Sequence, residues 1–196
     1  MSSINTIRQS IRQQRAKLNR RQRQRAARQL ARHVITHPLF LRSQHIAAYL
    51  PINGEMDLQW ILQRAWAMGK TIYLPLLTNI QDKQLWFAPY YPGDRLEMNQ
   101  YGIMEPRHRI KQHIHLQRLD LVLTPLVACD LQGTRVGMGG GYYDRSFSFL
   151  ARNNHWQHPK LLGMAYSFQV VKKLKRREWD IPLHGIATEQ EIRYPL

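Results

Sequence analysis

The densest set of chemically able groups lies in residues 133–145, which read GTRVGMGGGYYDR. Gly137, Gly139, Gly140 and Gly141 carry no side chain that would hold a phosphate away from backbone N–H groups. Arg135 and Arg145 offer charge-assisted donors to phosphate oxygens. Asp144 is a hard oxygen ligand, suited to a divalent cation on the far side of those phosphates. A tight strand-to-helix turn would explain glycines alone. The arginines, tyrosines and aspartate around them exceed what a turn needs, so the segment reads as a nucleoside-triphosphate site.

Two familiar nucleotide motifs fail on spacing. A dinucleotide fingerprint begun at Gly137 needs a glycine where Tyr142 stands. Gly69, Lys70 and Thr71 imitate the end of a P-loop, but its first glycine would fall on Arg64. That segment also follows a helical pattern and precedes a strand-like one, the reverse of the required order. Transition-metal chemistry is not expected either. His33 and His37 have helical spacing but no carboxylate in residues 1–54 to join them, and His113 and His115 sit among polar neighbours. Cys129, the only cysteine, ends an apolar run and reads as a small core residue.

Hydrophobic periodicity supplies the frame for this loop. Ile4, Ile7, Ile11 and Leu18 mark a helical stripe, with Arg8, Arg12 and Arg15 on or beside its polar flank. Asn19 is placed to cap a second helix, striped by Ala26, Ala27, Leu30, Ala31 and Val34, and Pro38 is expected to close the region. Residues 45–51, 71–77, 85–90 and 161–166 read as strands, and 119–128 is the strongest of them. Residues 57–68 read as an amphipathic helix, another helix is expected after Gly141, and a short tail ends the chain. Strands alternating with helices predict an α/β fold: a three-layer sandwich with a mostly parallel, Rossmann-like sheet and the N-terminal helices packed on it. One domain over residues 1–196 is expected. In such a sheet ligands bind beyond the carboxyl ends of the strands, where the glycine-rich loop falls.

The formal charge is +16, and residues 1–54 hold eleven Lys or Arg and no acid. Such a surface attracts phosphate, nucleic acid, anionic lipid or polycarboxylate, and charge alone does not choose among them. No apolar run approaches the roughly 18–20 residues that cross a bilayer. The basic start has no apolar core behind it, as a secretory signal would, and runs into the predicted fold. A cytoplasmic location with no membrane contact is therefore expected, and the chain is expected to act as a monomer.

The segment GTRVGMGGGYYDR resembles the glycine-rich signature of the 5-formyltetrahydrofolate cyclo-ligases, also called methenyltetrahydrofolate synthetases. The resemblance covers nearly the whole chain. It includes Tyr49 and Leu50 followed by Gly54 and Glu55, then Tyr73, Leu74 and Pro75, then Leu85, Trp86 and Phe87. Tyr101, Gly102 and Ile103 with Glu105 and Pro106 are similar to the family's aromatic-Gly-Ile-x-Glu-Pro segment. Thr124 and Pro125 lead to Asp130, and Trp179, Asp180, Ile181 and Pro182 are similar to its late acidic segment. Two departures stand out: Met138 and Gly140 where many members have Arg and Lys, and Ile4 where a basic residue is common.

The resemblance implies ATP-dependent cyclisation of 5-formyltetrahydrofolate to 5,10-methenyltetrahydrofolate, giving ADP and phosphate through a phosphorylated formyl group. ATP would be held by Arg8, Arg12, Arg135, Gly137, Met138, Gly139, Gly140, Gly141, Tyr143 and Arg145. Asp144 and Asp180 would hold Mg2+, and Leu50, Glu55, Trp86, Tyr101 and Tyr142 would form the folate pocket. Arg145, Tyr142 and Asp144 are the implied catalytic residues. Lys172, Lys173, Lys175, Arg176 and Arg177 read as a solvated face able to attract a polyglutamylated substrate. The rival reading is a basic nucleic-acid-binding protein using residues 8–32, which contain nine Arg and one Lys. The apolar stripe through that run and the lack of a recognised nucleic-acid motif argue against it, leaving nucleic acid at most incidental. A sugar-phosphate isomerase on a related sheet would leave the Glu55, Tyr101 and Asp180 segments unexplained.

Overall fold

The computed structural model describes residues 3–79, 83–152 and 158–195. The chain begins with helices α1 (Ile4–Lys17), α2 (Arg20–Ile35) and α3 (Pro38–Arg42). Ser3 caps α1, and Asn19 with Gln22 forms a reciprocal capping box that starts α2. Pro38 opens α3 instead of closing the region. As the first helical residue it has no N–H to leave unsatisfied, and the His37 ring accepts from Leu39 N–H.

Strand β1 (His45–Ala47) follows, then α4 (Gln59–Ala67), β2 (Thr71–Asn79), β3 (Gln84–Tyr90) and a small hairpin, β4 (Glu97–Met98) with β5 (Met104–Glu105). Next come β6 (Leu121–Pro125), β7 (Ala128–Asp130), β8 (Arg135–Val136), α5 (Tyr142–Ser146) and α6 (Phe149–Arg152). The chain ends with β9 (Lys160–Met164), β10 (Val170–Val171), β11 (Gly185–Ala187) and β12 (Ile192–Arg193). The expected strand over 119–128 is thus two strands in different sheets. Pro125 has no N–H to continue a ladder, and Leu126 and Val127 turn the chain toward the second sheet. The expected tail contributes β11 and β12 to the main sheet, and the helix placed at 57–68 starts at Gln59, whose N–H the Asp57 carboxylate accepts at 2.8 Å.

Among the described residues the main sheet has the order β12-β11-β9-β6-β1-β2-β3. Its central pairs are parallel, while β3 and β12 are antiparallel edges. Side chains alternate across it, as a strand's two-residue period requires. Ile46, Leu121, Leu123, Leu162 and Met164 face a core shared with Leu30 and Val34 of α2 and Ile61 of α4. Ala47, Val122 and Leu161 face the opposite core, with Phe87, Phe147, Leu183 and Ile186. Both sheet faces are therefore buried, giving the three layers and requiring strands that are apolar throughout.

The N-terminal helices divide between two supports. α2 packs on the main sheet, whereas Ile11 of α1 packs on Val127, Ala128, Val136 and Leu174 around a second sheet of order β10-β7-β8. The same face of α1 carries Arg15 inward. Expected on the polar flank, Arg15 is only 2% exposed, and its guanidinium donates to the Leu126 carbonyl where the chain leaves β6.

Candidate active site

A cleft of about 1570 Å3 lies beyond the ends of β1, β2 and β6, bounded on the other side by α1, β8 and the loop of residues 137–141. That volume exceeds the roughly 300–1,000 Å3 typical of a single small-ligand site, leaving room for two substrates side by side.

The loop is shaped by its glycines at two positions. Gly139 has φ +110° and Gly141, the residue before α5, has φ +68°, conformations that side chains disfavour. The Gly137 carbonyl accepts from Arg8 Nε at 3.0 Å, and the Gly140 carbonyl accepts from Arg145 Nη2. The backbone N–H groups of residues 137–141, by contrast, donate no hydrogen bond among the described residues. Carbonyls tied back by guanidinium groups and N–H groups left open make an anion cradle. Because α5 is one short turn, open donors and arginine charge matter more here than a helix dipole would.

Arg8 and Arg12 reach the cleft from α1, and Met138 lines it with its side chain partly exposed. Arg135 departs from expectation. β8 turns it inward, where Nη2 meets Asp144 Oδ1 at 2.6 Å and Nη1 donates to the Ile181 carbonyl. It orients Asp144 while still lining the cleft. Asp144 Oδ1 also accepts from Ile181 N–H at 3.1 Å, so Asp144 is pinned beside the segment that holds Asp180. Asp180 Oδ2 accepts from Arg177 N–H and closes a local turn. Among the described residues, Asp144 Oδ2 and Asp180 Oδ1 accept no hydrogen bond, leaving two hard oxygens on adjoining segments.

The other half of the cleft is more apolar. Leu50 and Glu55 reach it from the loop after β1, where Asn53 and Gly54 have positive φ and Glu55 Oε2 accepts from Ile52 N–H at 3.2 Å. Burial raises the Glu55 carboxyl above the usual carboxylate range, and the Ile52 N–H and the Arg15 guanidinium oppose that shift. Tyr101 and Tyr142 bring their hydroxyls to 3.3 Å across the cleft. Tyr143 lies beneath the loop, its ring against Phe147 and its phenol held neutral by burial.

Trp86 does not belong to this pocket. Its neighbours Leu85 and Phe87 point inward, so strand alternation puts Trp86 on the outer face, 41% exposed and stacked on His113 at 4.2 Å. His113 is thereby accounted for by ring stacking, and His37 by its contact with the Tyr194 hydroxyl. Lys175 and Arg177, assigned from sequence to a solvated face, line the cleft with Trp179. Arg15 was the deeper omission, because a charged residue in an Arg-rich helix carries no local sign that it will be buried.

Arg8→Ala tests the loop contact. Loss of a charged hydrogen-bond partner at the glycine loop should weaken ATP by about 1.5–3 kcal/mol, leave folate little changed, and show as a rise in the ATP KM. Arg21→Ala, on the exposed face of α2, should do little. Equal effects from both would indicate a diffuse field in place of a defined contact.

Comparison with known proteins agrees with this geometry. The 5-formyltetrahydrofolate cyclo-ligase family model matches residues 1–189. The chain is similar to the 5-formyltetrahydrofolate cyclo-ligase of Escherichia coli (strain K12), 39% identical over 93% of this chain and 98% of that one. It is 35% identical to the Haemophilus influenzae enzyme of that name, over 92% of this chain and 94% of the other. Among solved structures it is similar to Aquifex aeolicus 5,10-methenyltetrahydrofolate synthetase, with a TM-score of 0.81 and 30% identity, covering 97% of this chain and 92% of that chain. A nucleic-acid-binding role is not favoured, since the match runs through the arginine-rich helices themselves. A glycine cradle on a mostly parallel sheet, matched over more than nine-tenths of the chain by these enzymes, leaves one assignment: the chain belongs to the 5-formyltetrahydrofolate cyclo-ligase family.

Proposed function

We propose that this chain converts 5-formyltetrahydrofolate and ATP to 5,10-methenyltetrahydrofolate, ADP and phosphate within the cleft, with residues 1–196 acting as one catalytic unit. The observation that carries this reading is the cradle of open N–H groups beside an apolar wall that holds one buried carboxylate. A formamide oxygen is a poor leaving group. Transfer of the γ-phosphoryl group to that oxygen breaks its bond to ADP. The folate N10 then attacks the formyl carbon, phosphate departs, and the N10 proton is lost.

Most of the protein's task is positioning and charge stabilisation. Arg8, Arg12, Arg145 and the N–H groups of residues 137–141 hold the phosphates, with Met138 and Tyr143 supporting the loop. Asp144 and Asp180 would hold Mg2+, which prefers hard oxygens and keeps coordination sites for substrate phosphates; bound there, it would neutralise charge on the phosphates. Leu50, Tyr101 and Tyr142 form flat walls for the pterin, and Glu55 accepts from its ring N–H groups. Lys175 and Arg177 at the same cleft suit the carboxylates of a polyglutamylated tail. The reading extends to a monomer working in the cytoplasm. Cys129 fits it as a core residue, since burial pushes its thiol up to about 12, and no helix among the described residues is long and apolar enough to cross a membrane.

The direct experiment mixes protein, 5-formyltetrahydrofolate and Mg-ATP and follows methenyl product by absorbance. Well-folded protein that forms no ATP-dependent product would remove this reading.

A pH dependence follows from Glu55. Burial raises its pKa, so protonation begins at a higher pH than for an ordinary carboxylate. An accepting carboxylate is lost as pH falls through that raised value. The folate KM should therefore climb on acidification, with a midpoint above the ordinary carboxylate range, while the ATP KM changes less. Glu55→Gln should have a higher folate KM and flatten that acidic limb. A limb that persists unchanged in Glu55→Gln would assign it to another group.

A further inference from the structure

The hairpin that presents Tyr101 has little apolar support of its own. β4 and β5 have two residues each, and Met98, Tyr101 and Met104 are all exposed. A polar knot holds it instead. Asn99 Oδ1 accepts from Tyr101 N–H at 2.9 Å and from Ile103 N–H at 3.0 Å. The Asn99 backbone closes the turn from both sides, its N–H donating to the Ile103 carbonyl and its carbonyl accepting from Gly102 N–H. Gly102, at φ +73°, permits the reversal.

The knot is moored to the main sheet by one buried carboxylate. Glu105 is 2% exposed, and its Oε2 accepts both Asn99 Nδ2 and Leu77 N–H of β2, each at 3.1 Å. Its other oxygen lies 3.5 Å from Arg107 Nε, on a side chain that is largely exposed. A carboxylate is buried at a cost that its donors must offset. Here those donors connect the sheet, through Glu105 and Asn99, to the turn that lays Tyr101 against Tyr142.

We propose that Glu105, acting through Asn99, is a positioning residue for the cyclo-ligase reaction: it fixes Tyr101 opposite Tyr142 and so sets the width of the cleft where folate meets nucleotide. This rests on the cleft being the site proposed above. Glu105 and Asn99 act in series along one strut, so removing either one releases the loop. Misplacement of a substrate wall by about 1 Å can cost on the order of a hundredfold in rate, and loss of one anchored wall should move substrate affinity by about tenfold.

The test measures kcat, both KM values and the melting temperature for wild type, Asn99→Ala, Glu105→Ala, Glu105→Gln and the Asn99→Ala/Glu105→Ala pair. Asn99→Ala and Glu105→Ala should each raise the folate KM about tenfold, with the ATP KM within about twofold. The double variant should be no worse than either single, because both break the same strut. Glu105→Gln keeps an oxygen for Leu77 and Asn99 and should recover most of the loss. Glu105→Ala leaves two donors unpaired and can unfold, in which case Asn99→Ala and Glu105→Gln carry the test. Folded Asn99→Ala with an unchanged folate KM, or a double variant whose effects multiply, would overturn the positioning role while wild-type activity stands. Wild type that forms no methenyl product would overturn the reaction reading and this proposal with it.

Discussion

Asp144→Asn is expected to lower kcat by about a hundredfold or more with the fold retained. Asp144 Oδ1 is held by Arg135 Nη2 and Ile181 N–H, and an asparagine oxygen can still accept both. What disappears is the charge on a ligand proposed for Mg2+, together with the ionic partner of a buried guanidinium. Arg135 keeps the Ile181 carbonyl, so the stability loss should stay near the about 1–3 kcal/mol of a weakened charged hydrogen bond. Melting temperature and a Mg2+ titration of the rate separate the two effects. Arg135→Met is the control, since it misorients Asp144 and leaves its charge in place; it should lose more stability than Asp144→Asn and need less added Mg2+. Normal turnover by Asp144→Asn at limiting Mg2+ would mean that Asp144 is not a ligand.

Gly140→Ala should nearly abolish turnover, for a reason visible only in three dimensions. A methyl group at Gly140 would meet Cδ2 and Cε2 of Tyr142 at 2.7 and 2.8 Å, distances that real contacts do not tolerate. The Tyr142 ring must swing away, which breaks its contact with Tyr101 and deforms the proposed folate wall along with the proposed phosphate cradle. A loss of about a hundredfold in kcat/KM, with both substrates weakened, is expected. Gly139→Ala differs. Its φ of +110° imposes strain of about 1–3 kcal/mol, and its methyl group would come within 3.4 Å of Arg8 Nη2. It should weaken ATP and largely spare folate. Calorimetric titration with each substrate, beside a melting curve, distinguishes the two variants. A Gly140→Ala protein with ordinary ATP affinity and turnover would mean that the glycine serves only the turn.

Much of the architecture was legible along the chain because it depends on local rules. Apolar residues at helical spacing marked α1 and α2, Asn19 announced the start of α2, and unbroken apolar runs marked strands buried on both faces. Glycines clustered before a helix marked the proposed phosphate loop for the same reason, since backbone freedom is a property of the residue itself. Strand partnership, and the small strands at the chain's end, were not legible, because strands of two or three residues carry too short a pattern to read.

The site itself divides along the same line. Sequence by itself determined which residue types were present for phosphate, cation and pterin, and that the loop would fall beyond the strand ends. Only the tertiary structure decided which of them meet. It joined Arg8 to Gly137 across 129 positions, turned Arg135 under the loop onto Asp144, sank Arg15 beneath the cleft and put Trp86 on the outer face. It also set Lys175 and Arg177, exposed as expected, along the lining of the cleft. The physical reason is that a side chain's direction depends on the parity of its strand and on which neighbours bury it. Both are settled largely by contacts between segments distant in sequence, as with Arg8 and Gly137 or Arg15 and Leu126, which no short window along the chain contains.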